Sequence, residues 1–244
     1  MTMNKTIFTS ILSASLMTAT GATLFASNAV AQTWTHEGQP AQLVELFTSE
    51  GCSSCPPADR FLSKFQSSAK LWKDIIPVAF HVDYWDYLGW KDEFAHPAYS
   101  QRQRLYRAYG SLSSVYTPGF VVDGNEWRGF FSRSQLPARE VNDRGALTLN
   151  KEGDNFRLNY DQNGRYTAHL VLLAMDERTK IAAGENRGRE LEHDFVVLNK
   201  YQLTSEKKWS FNDVMVANNA DAVAVWLTKG NQSQPVQTVA GYIQ

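Results

Sequence analysis

Apolar runs alternate with amphipathic segments through the first half of the chain. Apolar, β-prone runs lie at 43–47 and 75–83, and apolar residues recur at helical spacing in the segment between them, at 58–66. A second helical pattern covers 97–109 and is ended by Gly110. Because a helical crossover joins the two apolar runs, we expect them to form parallel, buried strands.

A hairpin and a last helix complete this pattern. Asp123-Gly124 is a typical two-residue turn between the run at 120–123 and a short strand at 127–130. The segment 136–144 has a proline suited to a first helical turn and is followed by a glycine that would end the helix. The predicted order is therefore β-α-β-α-β-β-α, an α/β fold with the first two strands parallel and the last two antiparallel.

Period-two alternation dominates the second half of the chain. We expect strands at 156–160, 166–174, 195–203, 222–227 and 235–241. Turn residues separate these strands. The pattern predicts a small antiparallel β-sandwich-like domain at 146–244, which follows a first domain at 32–145.

The first 31 residues follow a different pattern. Lys5 has the only charged side chain there, an apolar run extends over 7–25, and the small residues at 29–31 fit a cleavage site. This segment predicts a secretory signal peptide at 1–31, and a retained membrane anchor is the alternative. We expect an exported protein, periplasmic or secreted, with no membrane contact after cleavage.

The charge of the chain limits its partners. Removing Lys5 from the 24 basic residues leaves 23 against 25 acidic ones, which gives a net charge near −2. No run of basic residues is present to attract a polyanion. We expect no nucleic-acid partner.

The only two cysteines, Cys52 and Cys55, form a C-x-x-C motif just before the first predicted helix. Pro56 and Pro57 suit the first turn of that helix. The motif is therefore expected at a helix N-terminus, where the dipole and the unpaired amides stabilise a thiolate. Cys52 precedes the helix and is expected to be the exposed, attacking thiol, while Cys55 lies one turn inward and resolves a mixed disulfide.

Three kinds of chemistry fit this cysteine pair. A disulfide that acts only as an inert crosslink and closes a four-residue loop stabilises the folded state by about 2 kcal/mol, whereas one that closes a fifteen-residue loop contributes about 3 kcal/mol. A structural zinc site needs four ligands, and only two are cysteines. An oxidising compartment favours thiol–disulfide chemistry, with metal binding and an inert bridge as the alternatives.

Several motifs carry a resemblance to known proteins. The predicted element order, the C-x-x-C at the first helix and the Thr-Pro pair before the hairpin resemble the thioredoxin superfamily. More closely, GCSSCPPADR, HVDYWDYLGWKDEF, VYTPGFVVDG and ENRGREL resemble the secreted bacterial proteins grouped as domain of unknown function twelve twenty-three, over residues 43–191. That resemblance implies a thioredoxin-like domain with an added β-rich C-terminal part, and it implies no substrate.

The superfamily pattern implies roles for individual residues. Cys52 would attack, Cys55 would resolve, and Pro118, after Thr117, would be a cis-proline that faces the dithiol, with a trans turn residue as the alternative. Glu45 stands near the position of the buried acid that assists the resolving cysteine, although it lies seven residues before Cys52 rather than six. A charge at an exposed strand end is the alternative for Glu45.

Polar residues at the end of the second predicted strand are candidates for tuning the thiol. His81 and Asp83 share one face of that strand and should lie at the same sheet edge as the motif. Either residue is a candidate to tune Cys52, and a hydrogen-bonded structural role is the alternative.

An aromatic loop follows these residues. Trp85, Tyr87 and Trp90 form either a rim that selects a substrate or ordinary packing. The arginines of the second helix, such as Arg102, fit a solvated face. Asn186 and its neighbouring arginines either bind an anion or brace the two halves of the chain.

The leading hypothesis is a thiol–disulfide oxidoreductase that needs no cofactor. Its substrate would be a cysteine-containing protein or a small thiol, and a redox partner protein would restore it. A second hypothesis has Cys52, Cys55 and His81 bind Cu(I) for delivery. A third has the domain act as a non-catalytic interaction module through its aromatic loop.

Overall fold

The computed structural model describes residues 1–2, 31–139 and 142–244 of the chain. Within them lie three α-helices: α1 (Pro56–Ser63), α2 (Pro97–Ala108) and α3 (Gly129–Ser132). The strands are β1 (Gln32–His36), β2 (Gln42–Thr48), β3 (Ile75–His81), β4 (Gly119–Val122), β5 (Asn125–Glu126), β6 (Leu147–Glu152), β7 (Asn155–Tyr160), β8 (Tyr166–Ala174), β9 (Glu177–Lys180), β10 (Glu190–His193), β11 (Val196–Ser205), β12 (Lys208–Phe211), β13 (Ala222–Thr228) and β14 (Gln237–Tyr242).

Strands from both halves of the chain share one mixed eight-stranded sheet, in the order β14-β13-β8-β11-β3-β2-β4-β5. β2 runs parallel to β3 and antiparallel to β4. β11 covers the other edge of β3 through one parallel pair, Val196 with Ala79, and the amide of Ala79 donates to the carbonyl of Phe195 at 2.8 Å. The C-terminal strands therefore extend the sheet that holds β2.

A second sheet, β1-β6-β7-β12, packs on the C-terminal half of the large sheet. Their shared core contains Leu149 and Phe156 from one sheet and Leu170, Val225 and Val239 from the other. β1 pairs with β6, so the strand that begins at residue 32 belongs to this second layer. The predicted division near residue 145 stays a prediction.

β2 is buried on both faces and separates two further cores. Phe47 packs towards α2, where Tyr106 lies edge-on to its ring at 6.1 Å. Leu46 packs on the opposite face, together with Leu62 of α1. Alternate residues of β2 therefore face α1 and α2, which fixes the surroundings of each polar side chain on this strand.

The expected fold class, a thioredoxin-like α/β domain followed by a small β-sandwich-like domain, is wrong. Of the residues that the structure describes, about 38% are strand and 14% are helix, in large mixed and antiparallel sheets. Left unpaired, the edge of β3 would expose its backbone hydrogen-bonding groups, and β11 covers it instead. Strand periodicity does not reveal which strand will pair with which edge.

The helix expected at 136–144 is also wrong, because the described residues of that segment are not helical. Tertiary contacts hold the segment instead. The side-chain amide of Gln42 donates to the carbonyl of Pro137 at 3.1 Å, and Arg139 pairs with Asp123 at 3.4 Å. The short helix α3 forms earlier, where Phe130 packs against other aromatic rings.

The predicted turn at Asp123-Gly124 is confirmed, since β4 and β5 pair across it. The second strand expected at 127–130 is wrong, because β5 covers only Asn125–Glu126 and α3 begins at Gly129. Both residues have positive φ, 47° and 79°. A Cβ on Gly124 would lie 2.4 Å from the carbonyl carbon of Ser233, so both the conformation and the space require glycine here.

The predicted signal peptide, apart from its first two residues and Ala31, lies outside the described residues. Among the described residues, none of the helices has the length and apolar character needed to cross a membrane.

Candidate functional site

Cys52 and Cys55 form a disulfide at the start of α1, with their Cα atoms 5.4 Å apart. Cys55 occupies the N-cap position, and Pro56 and Pro57 are the first two residues of the helix. Proline suits these positions because the first amides of a helix have no intrahelical acceptor. The predicted position of the motif at a helix N-terminus is confirmed.

The expectation that Cys52 is exposed is wrong. Cys52 is 1% exposed and Cys55 is 0% exposed, although Ser53 and Ser54 between them are exposed. The hydroxyl of Ser54 lies 3.3 Å from the sulfur of Cys52. The disulfide is therefore covered.

A loop at residues 181–189, between β9 and β10, is hydrogen-bonded to the backbone around the motif, and we call it the capping loop. The side-chain amide of Asn186 donates to the carbonyl oxygens of Glu50 and Cys52, at 2.8 and 3.0 Å. The amide of Ser53 donates to a carboxylate oxygen of Glu185 at 3.0 Å. Arg189 donates to the side-chain oxygen of Asn186 at 3.0 Å. Of the two alternatives for Asn186, these contacts support bracing.

A cis peptide bond joins Thr117 and Pro118, as the resemblance implied. The indole nitrogen of Trp85 donates to the hydroxyl of Thr117 at 2.7 Å. A Cβ on Gly51 would lie 2.9 Å from the Cβ of Trp85, so Trp85 packs closely against the turn that precedes Cys52. Trp85 therefore links the C-x-x-C turn to the cis-proline.

The aromatic residues proposed as a rim occupy different environments. Tyr87 is 79% exposed. Trp90 and Trp85 are half-buried, and the indole nitrogen of Trp90 donates to the carboxylate of Glu50 at 2.7 Å. Only Tyr87 of the three presents an open surface, while the two tryptophans brace the turn.

Glu45 lies on the face of β2 that packs against α2, away from α1 and its disulfide. Its carboxylate accepts a hydrogen bond from the Nε of Arg102 at 2.6 Å and another from the hydroxyl of Tyr106. The side chain of Arg102 is only 11% exposed, and its guanidinium lies over the rings of Phe80 and Trp226. The interpretation of Arg102 as part of a solvated face is wrong. Glu45 and Arg102 form a buried ion pair.

His81 and Asp83 also differ in their surroundings. His81 is fully buried, and its Nδ1 lies 2.8 Å from a carboxylate oxygen of Asp92. Asp83 is bonded to Ser100 of α2, which donates to its carboxylate and accepts from its backbone amide. In the described part of the chain, no group of three or more His, Cys, Asp or Glu is arranged to hold a metal ion.

Five buried ionisable residues lie together beside the disulfide, and we call them the acid–imidazole cluster: Glu50, Asp59, His81, Asp92 and His193. The amide of Glu50 donates to Asp92 at 2.9 Å. The Nε2 of His193 lies 3.5 Å from a carboxylate oxygen of Glu50, and its Nδ1 lies 4.0 Å from one of Asp59. The rings of His81 and His193 are 4.9 Å apart, centroid to centroid.

Sequence reasoning missed four members of this cluster. Asp59 could have been found from the sequence, because it follows Cys55 by four residues on a predicted helix and therefore lies on the same face of that helix. No local pattern links Glu50, Asp92 and His193, since they are brought together from a turn, an irregular loop and β10.

The cluster shifts the pKa values of its members. Burial raises the pKa of Asp59 above its ordinary value, although the charges of His193 and His81 oppose this. Burial would lower the pKa of His81, but the charge and hydrogen bond of Asp92 outweigh it, so the pKa is raised. Burial works against ionisation of Asp92, yet His81 lowers its pKa overall. His81 and Asp92 therefore form an ion pair, while Asp59 keeps its proton to a higher pH than an exposed aspartate.

Two solved structures are similar to this chain. One is the X-ray crystal structure of a protein from Agrobacterium tumefaciens, a structural genomics target, with 24% identity and a TM-score of 0.57 over 84% of this chain and 95% of that chain. The other is HBP35 of Porphyromonas gingivalis, with 14% identity and a TM-score of 0.47 over 85% of this chain and 76% of that chain. The first shares the fold. No curated protein matches the chain.

A family model settles the relationship that the sequence motifs suggested. The model described as Protein of unknown function (DUF1223) matches residues 43–229, which include the disulfide, the cis-proline, the capping loop and His193. It supports the resemblance to that family and leaves the wider resemblance to the thioredoxin superfamily unsupported. This chain belongs to the DUF1223 family of proteins of unknown function.

Proposed function

We propose that this protein is an exported thiol–disulfide oxidoreductase that acts through Cys52 and Cys55. The observation that carries the proposal is the disulfide at the first turn of α1. A four-residue loop contributes only about 2 kcal/mol as a crosslink. The helix N-terminus, in contrast, favours a thiolate, which is the form that reacts.

The chemistry is an exchange of disulfide bonds. A substrate thiolate attacks the sulfur of Cys52, the bond to Cys55 breaks, and Cys55 leaves as a thiolate. In the opposite direction the Cys52 thiolate attacks a substrate disulfide, and Cys55 then attacks Cys52 to release the reduced substrate. Neither direction needs a cofactor.

The capping loop has to move before a substrate sulfur reaches Cys52. In the described part of the chain, its side-chain hydrogen bonds to the backbone around the motif are two from Asn186 and one to the exposed Glu185. Glycines with positive φ, Gly184 and Gly188, flank these residues. A covered disulfide of this kind would exchange only with partners that displace the loop, which favours a protein over a small thiol as the substrate.

Location and partners are part of the proposal. The segment at 1–31 would direct export to the periplasm or the exterior, where a disulfide persists. The substrate would be a cysteine-containing protein, and a second redox protein would restore the starting state. Tyr87 offers an exposed ring for such contacts, in the same loop as Trp85 and Trp90.

The test is a direct measurement of exchange in purified mature protein. The protein is equilibrated with mixtures of reduced and oxidised glutathione, and its free thiols are alkylated and counted by mass. We expect a reversible change of two thiols, catalysis of exchange in a disulfide-bonded model protein, and loss of catalysis in Cys52→Ser. Cys55→Ser should accumulate mixed disulfides with substrate proteins.

Ser63→Ala, in the last turn of α1, is a matched control for local perturbation. Catalysis that persists in Cys52→Ser would refute the proposal. A double cysteine variant that keeps full cellular function would favour an interaction module instead.

A further inference from the structure

Buried polar atoms without hydrogen-bond partners are concentrated beside the disulfide. In the described part of the chain they include Glu50 Oε1, His81 Nε2 and both ring nitrogens of His193. An unsatisfied buried polar group costs about 1–3 kcal/mol. Several such atoms in one place indicate that the cluster serves a purpose other than stability.

Asp59 connects this cluster to the disulfide. Its backbone amide donates to the carbonyl of Cys55 at 3.1 Å, and Cys55 has helical φ and ψ, so the two side chains lie one turn apart on the same helix face. His193 approaches Asp59 from β10, which packs on α1. A carboxyl and an imidazole thus lie in series behind the inner cysteine.

A small cavity leads from this pair towards solvent. It has a volume of about 100 Å³ and is lined by Asp59 and His193 together with Pro56, Glu190 and Glu192. Glu190 and Glu192 are exposed, so the cavity joins the buried pair to the surface. A space of this size with polar walls has room for water.

From this arrangement, and on the basis of the proposed function, we infer that Asp59 exchanges a proton with Cys55 and that His193 carries protons between Asp59 and the cavity. When the disulfide is reduced, Cys55 leaves as a thiolate and takes the proton of the Asp59 carboxyl. Water in the cavity then reprotonates Asp59 through His193. The complete reduction converts two substrate thiols into one substrate disulfide and the protein disulfide into two thiols.

The charged groups around Asp59 are consistent with this role. His193 faces it from β10 and His81 from β3, and Asp92 and Glu50 lie behind the two imidazoles. At the mouth of the cavity are Arg60, Glu190 and Glu192. Because burial raises the pKa of Asp59, its carboxyl is protonated over a wider pH range than an exposed one and is able to donate.

Rapid mixing of the reduced protein with oxidised glutathione separates two steps: formation of the Cys52 adduct, and release of glutathione when Cys55 attacks. In this direction, which is the reverse of the reduction of the protein disulfide, the Cys55 thiol passes its proton to the Asp59 carboxylate as it attacks. In Asp59→Asn we expect release to slow at least about tenfold near neutral pH, because proton transfer by a positioned group contributes roughly 10²–10⁴-fold. Adduct formation should change by less than about threefold. Asp74→Asn, at an exposed aspartate, is the control.

The split between the two steps distinguishes proton transfer from a structural role. If both steps slow equally, or if neither does, the inference is wrong. His193→Gln, on a different element, is the second variant in case Asp59→Asn does not fold, and it should likewise slow release alone. A native protein that forms no glutathione adduct and catalyses no exchange in the disulfide-bonded model protein refutes the proposed function itself. An adduct whose release is unchanged in both variants refutes only the proton route.

Discussion

Replacing Asn186 with alanine should uncover the disulfide without touching it. Asn186 is fully buried, and its amide supplies two hydrogen bonds to the backbone around the motif, to the carbonyl oxygens of Glu50 and Cys52. No other residue donates a side-chain hydrogen bond to these two oxygens in the described part of the chain. The capping loop of Asn186→Ala would therefore open more often.

The size of the effect follows from those two bonds. Each contributes a net of about 0.5–1.5 kcal/mol, so the open form gains about 1–3 kcal/mol. A difference of this size changes an equilibrium by roughly 5- to 150-fold. Reduction that proceeds through the open form should accelerate by the same factor.

The assay follows reduction of the disulfide by excess dithiothreitol, with samples alkylated at intervals and the free thiols counted by mass. Asn218→Ala is the control, since Asn218 is exposed and lies outside the capping loop. Urea unfolding of each variant shows whether global unfolding contributes. A reduction rate in Asn186→Ala equal to that of the native protein would refute the idea that the capping loop protects Cys52.

Three further predictions concern stability. Arg102→Met should lower the free energy of unfolding by about 3–5 kcal/mol, because it leaves the buried Glu45 carboxylate unpaired. Arg104→Met, at an exposed neighbour, is the control and should leave the free energy of unfolding unchanged. Equal urea midpoints for the two variants would contradict this prediction. The pKa of His81 in the folded protein is raised above 6.5. The stabilisation that the charged imidazole gives to the folded state is therefore complete below pH 6.5 and is lost as the pH rises through the pKa of the folded protein. His81→Gln should therefore cost more stability near pH 6 than near pH 9 in urea unfolding, with His36→Gln as the control, and a cost independent of pH would refute the pairing with Asp92. Gly124→Ala should lower the free energy of unfolding by about 1–2 kcal/mol because of the positive φ alone, and by more because of contact with Ser233. Its melting temperature should therefore fall further than that of Gly153→Ala, since Gly153 also has a positive φ but lies in open space. Equal losses in the two variants would refute the contribution of the contact.

The candidate site was predictable in its local parts. Two cysteines followed by two prolines before a helical pattern are enough to place a dithiol at a helix N-terminus, because each preference acts within one turn. The turn at Asp123-Gly124 was predictable for the same reason. The burial of Cys52 was not, because the motif is held by residues such as Asn186, which lie more than a hundred residues away in the chain.

For Glu45, the alternation of side chains along a strand predicts which residues share its face, but it does not predict what covers that face. Side chains of a strand alternate between faces, so Glu45 shares a face with Leu43 and Phe47. That face of β2 packs against α2, whereas the cysteines lie at the start of α1, which packs against the opposite face. The missing information was which helix covers which face, and that is a property of the assembled sheet.

By itself, the sequence determined the elements whose causes are local: the apolar strand β2, the start of α1 at the prolines, the alternating strands of the second half and the hairpin turn. Only the tertiary structure decided that β11 covers the edge of β3, that the disulfide is buried and the capping loop is hydrogen-bonded to its motif, and that five ionisable side chains from separate segments meet beside it. Strand pairing and burial of charge depend on contacts between residues far apart in the chain. Periodicity and local propensity contain no information about those contacts.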